Sequence, residues 1–175
     1  YGYDEIAESY FFYRWNEDQL RIFQTINEVW NSIKLLNGIP DSLMKNLPKD
    51  FMIDRIQVLR YPINGGEITL HCDYPGIQIT NAALTLSKRG RDYETGGFYS
   101  IYNNKEEQDI EGNTNIGDVT IWAGSVFHGV KIPKAKKNIT KSELSGRWQL
   151  TFTAIQSRHV ENRIRSYSFK EFELD

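Results

Sequence analysis

The chain has 175 residues and a formal net charge of −2, which suits one domain over residues 1–175 and excludes the overall basic charge of a general nucleic-acid or anionic-membrane binder, while a local basic patch stays compatible with it. No apolar run reaches the roughly 18 residues of a membrane span, and no signal-peptide pattern is visible, although a chain that begins at Tyr1 could lack its leader. The single cysteine, Cys72, excludes an intramolecular disulfide and favours a reducing compartment, so we expect a cytoplasmic location.

The first part of the chain contains the best helical pattern. Residues 1–15 are rich in aromatic side chains and are expected to lie as an extended segment on the domain. Asn16 can cap the helix that follows, and Asn37–Gly38 can end it. Between them an apolar stripe recurs at helical spacing and consists of Leu20, Phe23, Ile26, Trp30 and Ile33. With a short second helix over 41–47, the sequence predicts helical support over about 16–47.

After residue 50 the pattern becomes that of strands. Runs rich in β-branched and aromatic residues alternate with turn signals such as Asn64-Gly65-Gly66, and an aromatic content of 13% is typical of β structure. We predict seven strands, at 51–61, 66–72, 77–87, 96–103, 117–123, 126–132 and 146–156. A short eighth strand is expected near Asp109–Glu111, an exposed loop at Lys134–Ser145, and a tail over 157–175. This pattern indicates a mainly β sandwich or barrel-like jelly roll with a core at about 51–156.

His71 and Asp73 stand at the end of one predicted strand. Residues i and i+2 of a strand point to the same face, so an imidazole and a carboxylate project together. Alone this signal is weak, because His71 can be a hydrogen-bonded core residue and Asp73 can open a turn. His128 strengthens it, since it starts a strand after the Gly117–Asp118 turn, whereas the third histidine, His159, lies in the polar tail and is expected at the surface. Two histidines and one carboxylate form the ligand set of non-haem Fe(II) oxygenases.

The last predicted strand alternates between polar and apolar residues. One face carries Arg147, Gln149, Thr151 and Thr153, and the other carries Trp148, Leu150, Phe152 and Ala154. The polar face of such a strand usually meets water, so a solvent-facing Arg147 on an edge strand is one interpretation. In a jelly roll with a ligand pocket this face can instead line the pocket, where a guanidinium matches a carboxylate bidentately and Thr151 could add a hydroxyl.

These residues together resemble the 2-oxoglutarate- and Fe(II)-dependent dioxygenases, and within them the prolyl 4-hydroxylase-like group. The resemblance covers residues 51 to about 156. It is carried by His71-x-Asp73, by His128 after Gly117–Asp118, and by the segments Leu59-Arg60-Tyr61, Gly96-Gly97-Phe98 and Gly146-Arg147-Trp148. The resemblance implies a double-stranded β-helix, a cupin-like jelly roll that helices usually buttress.

The resemblance also implies roles for individual residues. His71, Asp73 and His128 would bind Fe(II), and Arg147 would pair with the distal carboxylate of the cosubstrate 2-oxoglutarate. Tyr61, ten residues before His71, matches a tyrosine that often hydrogen-bonds the cosubstrate, although a core position would explain it equally well. Dioxygen is the further co-reactant, and ascorbate can accompany it. The implied reaction hydroxylates a C–H of a small molecule or a peptide side chain with release of succinate and carbon dioxide, and desaturation or ring closure can follow from the same chemistry.

One spacing departs from the family pattern. Arg147 follows His128 by nineteen residues, whereas many members place the arginine closer to the histidine. We interpret Lys134–Ser145 as an insertion between two strands. Lys131, three residues after His128, is the other basic candidate for the cosubstrate carboxylate.

Two alternative functions fit the same fold class. A cupin-type metal enzyme that does not use 2-oxoglutarate would often add a further histidine or glutamate ligand, and the three histidines of this chain argue against it. A non-catalytic jelly-roll binding module is the other, and a complete ligand set with Arg147 argues against that, because such a chain should have lost one of them. The expected partner is a small-molecule or peptide substrate, with no nucleic acid and no membrane.

Overall fold

The computed structural model describes residues 7–14, 17–39, 52–74, 78–102, 106–135, 144–156 and 167–168. Within these ranges the chain forms one α-helix, α1 (Ile22–Leu36), and one 3₁₀ turn, Glu111–Asn113. The strands of the same ranges are β1 (Glu8–Tyr13), β2 (Met52–Pro62), β3 (Ile68–Cys72), β4 (Gln78–Thr85), β5 (Thr95–Tyr102), β6 (Glu106–Asp109), β7 (Val119–Trp122), β8 (Phe127–Lys134), β9 (Gly146–Gln156) and β10 (Tyr167–Ser168). No helix among the described residues is long and apolar enough to cross a membrane.

The strands form two five-stranded antiparallel sheets. The first sheet has the order β1-β2-β9-β4-β7 and the second has the order β10-β3-β8-β5-β6. From β2 to β9 the chain changes sheet at every connection except the β5–β6 hairpin. This alternation is the winding of a double-stranded β-helix, so the mainly β jelly roll expected from the sequence is confirmed.

The helix α1 packs on the outer face of the first sheet. The buried residues of its stripe are Phe23, Ile26, Trp30 and Ile33. They form one core with apolar residues of β2 and β9, namely Ile56, Leu150, Phe152 and Ala154. Trp30 stacks on Phe152 with 5.4 Å between ring centroids. Because this face of β2 and β9 is covered by the helix, their opposite faces are left to line the space between the sheets.

The helix begins later than its sequence pattern predicts. Its first residue is Ile22, and Arg21 before it has a left-handed backbone (φ 52°). The Asp18 side chain caps the helix. Its carboxylate accepts hydrogen bonds from the backbone N–H groups of Ile22 at 2.7 Å and Gln24 at 3.2 Å. Leu20, expected on the apolar stripe, therefore precedes the helix and is 73% exposed. Asn16, the expected cap, lies outside the described residues.

A buried ion cluster joins the helix to the first sheet. Asp54 on β2 is fully buried, and its Oδ2 accepts Lys34 Nζ at 2.5 Å and Arg14 Nε at 2.6 Å. Burial lowers the pKa of Lys34, although the charge of Asp54 opposes this shift. Removing one member would leave a buried charge without its partner, which typically costs about 3–5 kcal/mol. The cluster fixes α1 against the strand that supplies one wall of the site.

All seven predicted strands are present, with ends that differ from the expected ones by at most two residues. The predicted eighth strand is wrong in position, because the strand is β6 at Glu106–Asp109 and Glu111 instead begins the 3₁₀ turn. All four residues of β6 are exposed at a sheet edge, so no alternation of apolar residues marks them.

Two further strands were not predicted. The strand β1 lies within the segment expected to be extended, and β10 lies within the expected tail, where Tyr167 and Ser168 pair with Cys72 and His71. The predicted helix over 41–47 lies outside the described residues, as does most of the predicted loop at Lys134–Ser145.

Candidate metal and ligand site

Strand pairing brings the three candidate metal ligands together. His71 on β3 and His128 on β8 are register partners, and their ring centroids are 4.4 Å apart. Asp73 follows β3, and its backbone N–H donates to the carbonyl of Gly124 at 2.8 Å. The Asp73 carboxylate oxygens lie 3.8 Å from Nε2 of His71 and 3.5 Å from Nε2 of His128. One donor atom from each residue lies within 4.8 Å of the others.

Both imidazoles turn the same nitrogen towards the carboxylate. Nδ1 of His71 lies 2.8 Å from the Thr69 carbonyl oxygen, and Nδ1 of His128 lies 2.8 Å from that of Val126. A carbonyl only accepts hydrogen bonds, so each Nδ1 carries the proton and each Nε2 keeps its lone pair. Burial lowers the pKa of His128, which favours the neutral ring. Two imidazole nitrogens and one carboxylate suit Fe(II) and related first-row metals.

The candidate ligands border a cavity of about 90 Å³ between the two sheets. Its polar wall comes from β2, β4 and β9 and includes Arg55, Gln57, Asn81, Gln149, Thr151 and Thr153. Its apolar wall includes Phe98 and Trp122, whose ring centroids lie 5.8 and 5.2 Å from that of His128. A larger open depression of about 320 Å³ lies beside Trp148, but the described residues at its border include no histidine and only one carboxylate, Asp92.

Two buried donors face this part of the structure, and neither has an acceptor within the described ranges. Asn81 and Trp122 are cross-strand neighbours on β4 and β7, and both border the cavity. Their Asn81 Nδ2 and Trp122 Nε1 atoms are buried and have no acceptor among the described residues. Buried polar groups are normally hydrogen-bonded, so these donors mark positions where an oxygen atom of a ligand would be stabilised.

The polar face of β9 borders the cavity, as one of the two interpretations of the sequence requires. Gln149, Thr151 and Thr153 line it, while Leu150 and Phe152 on the opposite face pack beneath the helix. β9 lies between β2 and β4, so the alternative of a solvent-facing edge strand is wrong.

Arg147 is buried at the start of β9 and is held by protein groups. It is 3% exposed. Its Nε and one terminal nitrogen donate to Oε2 of Glu111 at 3.0 and 2.8 Å, and its other terminal nitrogen donates to Oε1 of Gln149 at 2.7 Å. These bonds use three of the five N–H groups of the guanidinium. Arg147 does not itself border the cavity, whereas Gln149 does, and so does Tyr61, the cross-strand neighbour of Arg147.

Glu111 was not among the sequence-predicted site residues. Its side chain is buried and accepts the Phe98 N–H at 2.9 Å and the Tyr93 hydroxyl, in addition to Arg147. Burial alone would raise the pKa of Glu111, but Arg147 and the other donors hold that pKa below its usual value. A signal for this contact exists at Gly97, where an added Cβ would lie 2.4 Å from Cγ of Glu111. Glycine within a strand marks such a close approach.

Tyr61 and Thr151 both border the cavity. Tyr61 is fully buried, and the Arg147 guanidinium lies 5.4 Å from its ring centroid. Thr151 Oγ1 accepts Nε2 of Gln149 at 3.3 Å. Arg147, Gln149 and Thr151 therefore form a hydrogen-bonded row along one face of β9.

The remaining sequence candidates lie elsewhere. Lys131 is on β8 but faces outward, where its Nζ pairs with Glu107 at 2.5 Å and both side chains are exposed. Cys72, between two candidate ligands, is buried as expected and does not border the cavity. His159 lies outside the described residues.

Comparison with known proteins finds likeness in structure alone. No protein-family model matches the sequence, and no curated protein matches it. The fold is similar to a prolyl-4-hydroxylase from Pseudomonas putida, with 17% identity, a TM-score of 0.53, and coverage of 87% of this chain and 69% of that chain. It is also similar to a prolyl hydroxylase from Trichoplax adhaerens in complex with a peptide fragment of the hypoxia inducible factor oxygen degradation domain, with 13% identity, a TM-score of 0.56, and coverage of 91% and 69%. The chain therefore has a prolyl 4-hydroxylase-like fold, as the sequence resemblance implies.

Proposed function

We propose that this protein is a non-haem dioxygenase that uses Fe(II), 2-oxoglutarate and dioxygen to hydroxylate a C–H of a small molecule or peptide side chain. The observation that carries the proposal is the arrangement of His71, Asp73 and His128, whose two Nε2 atoms and carboxylate converge beside a cavity. The prolyl hydroxylase-like fold supports it. A peptide substrate is one option because the Trichoplax enzyme was solved with a peptide.

The residues present fit the proposed metal. His71, Asp73 and His128 would hold Fe(II), and the carbonyls of Thr69 and Val126 keep both imidazoles in the required tautomer. Bound iron would supply the oxidative decarboxylation of 2-oxoglutarate, in which one atom of dioxygen enters succinate and the other enters the product. The protein orients these groups and, through the rings of Phe98 and Trp122, limits the access of water.

We propose that the polar face of β9 binds the cosubstrate. Arg147 would meet the distal carboxylate with the two N–H groups that Glu111 and Gln149 do not use, and Thr151 and Tyr61 would add hydroxyl groups at the cavity wall. The pairing of Arg147 with Glu111 also favours one second candidate, a cupin-type metal enzyme that does not use 2-oxoglutarate.

Anaerobic spectroscopy separates these two functions. Protein loaded with Fe(II) should develop a weak visible charge-transfer band when 2-oxoglutarate is added, and His128→Ala should not. A protein that binds Fe(II) but shows neither the band nor calorimetric binding of 2-oxoglutarate would be the cupin-type alternative. Succinate production against a panel of metabolites and peptides would then identify the substrate.

A further inference from the structure

Arg147, which the proposed function assigns to the cosubstrate, is already paired with a carboxylate of the protein itself, that of Glu111. Glu111 is 4% exposed and Arg147 is 3% exposed, so water screens their interaction very little. We propose that Glu111 is a resident counter-ion of Arg147, and that it limits the affinity and selectivity of the site for 2-oxo acids that carry a second carboxylate. This inference rests on the proposed function.

Glu111 is fixed by contacts that do not depend on Arg147. The Tyr93 hydroxyl donates to Oε1, and the Phe98 N–H donates to Oε2 at 2.9 Å. The side chain lies against β5 at Gly97, which has a φ of +106° and no Cβ to block it. A ligand that displaced Glu111 from Arg147 would also have to break these two hydrogen bonds inside a buried site.

The charges around Arg147 are already balanced. Arg147 and Glu111 form a neutral pair. Arg89, which also approaches this region through the Gly96 carbonyl at 3.3 Å, is paired with Asp109 at 2.5 Å. A ligand carboxylate that binds the remaining N–H groups of Arg147 would place a second negative charge on one guanidinium. In a buried site, repulsion between the two carboxylates weakens binding.

Substitution of Glu111 by glutamine removes the charge and keeps the shape. The amide oxygen can still accept from Arg147, and the amide nitrogen can donate to the Tyr93 hydroxyl. We expect Glu111→Gln to bind 2-oxoglutarate at least about ten-fold more tightly than the wild type does. Binding of 2-oxopentanoate, which has the same 2-oxo acid group but no distal carboxylate, should change by less than about two-fold.

The test is anaerobic titration calorimetry of the full chain loaded with Fe(II), with each of the two acids. Glu107→Gln is the matched control, because it neutralises an exposed glutamate that pairs with Lys131 outside the cavity. The inference is overturned if Glu111→Gln binds 2-oxoglutarate no more tightly than the wild type, or if it tightens both acids equally.

A second variant keeps the inference testable if Glu111→Gln does not fold. Tyr93→Phe removes a neutral donor from Glu111 without a change in charge. The carboxylate then depends more on Arg147, so 2-oxoglutarate should bind several-fold more weakly and 2-oxopentanoate should bind as before. Unchanged or tighter binding of 2-oxoglutarate would contradict the counter-ion role.

The two proposals fail in different ways. If the Fe(II)-loaded wild type binds neither acid, the proposed function fails and the counter-ion role fails with it. If the wild type binds 2-oxoglutarate, and the Glu111 and Tyr93 variants bind 2-oxoglutarate and 2-oxopentanoate with the same relative affinity as the wild type, only the counter-ion role fails.

Discussion

His71 and His128 face each other across β3 and β8 as direct register partners, with 4.4 Å between their ring centroids. Opposite residues of an antiparallel pair project to the same face, so strand pairing alone aligns the two imidazoles. Asp73 lies just beyond the strand, but its N–H bond to Gly124 ties it to the turn before β8. Backbone hydrogen bonds of the two strands and of the turn before β8 therefore position the three candidate ligands.

Loss of one candidate ligand should abolish metal binding without unfolding the chain. We expect His128→Ala to lower Fe(II) affinity by more than about 100-fold, beyond the roughly 10–100-fold effect of losing an outer-shell partner. His159→Ala is the matched control and should bind the metal like the wild type. Anaerobic equilibrium dialysis with metal analysis measures both. Equal losses in the two variants, or none in His128→Ala, would contradict the assignment.

Arg147 and Lys131 can be separated by their effects on the cosubstrate. Arg147→Ala should weaken 2-oxoglutarate binding by at least about ten-fold and leave Fe(II) binding nearly intact, because a charge-assisted pair is lost. Lys131→Ala, which removes the same charge from an exposed ion pair, should change neither. Calorimetry with each ligand decides the matter, and a loss confined to Lys131→Ala would transfer the role to that residue.

Arg147→Ala should also destabilise the fold, because Glu111 would remain buried without its counter-ion. The expected loss is about 3–5 kcal/mol in the free energy of unfolding. Urea denaturation of Arg147→Ala and of the double variant with Glu111→Gln would measure it. The double variant should recover part of the loss, and failure to do so would mean that the two side chains are not energetically coupled.

A methyl group at Gly97 should be far more costly than one at Gly90. Both glycines have positive φ, +106° and +87°, but an added Cβ at Gly97 would lie 2.4 Å from Cγ of Glu111, and at Gly90 it would meet nothing within 4 Å. We expect Gly90→Ala to cost about 1–2 kcal/mol through backbone strain alone and Gly97→Ala about 2–5 kcal/mol. Urea denaturation of both variants tests the difference, and similar losses would contradict the proposed contact.

The Glu111 carboxylate should give the protein a component of acid sensitivity. Its pKa in the folded chain lies below the ordinary value of 4.5. Its contribution to the free energy of unfolding is therefore complete above pH 4.5 and is lost as the pH falls through the lowered pKa. The stability difference between the wild type and Glu111→Gln should therefore shrink below pH 4.5. Denaturation curves from pH 7 downwards measure this, with Glu107→Gln as a control that should follow the wild type.

Local patterns were sufficient to predict seven of the strands and to group the candidate residues that share a strand face. Alternation places His71 with Asp73 and Arg147 with Thr151, and these arrangements depend only on neighbours in the chain. The contact of Glu111 with Arg147 could not be predicted in this way, because the two residues are 36 positions apart in the sequence and meet only through the packing of the sheets. In the sequence, Gly97 stands out only through the family resemblance, whereas the structure gives a physical reason for it, the close approach of the Glu111 side chain. The exposed edge strand β6 carries no apolar alternation that could have located it.

The pairing of β2 with β9 runs from Met52 and Gln156 to Pro62 and Gly146 without a register shift, whereas β3 and β8 shift between Ile68 and His71. A single inserted or deleted residue within β9 would exchange its two faces beyond that point. The cavity wall and the contact with the helix would then be lost in one event. Changes of chain length in this lineage, and in libraries built on it, should therefore avoid β9.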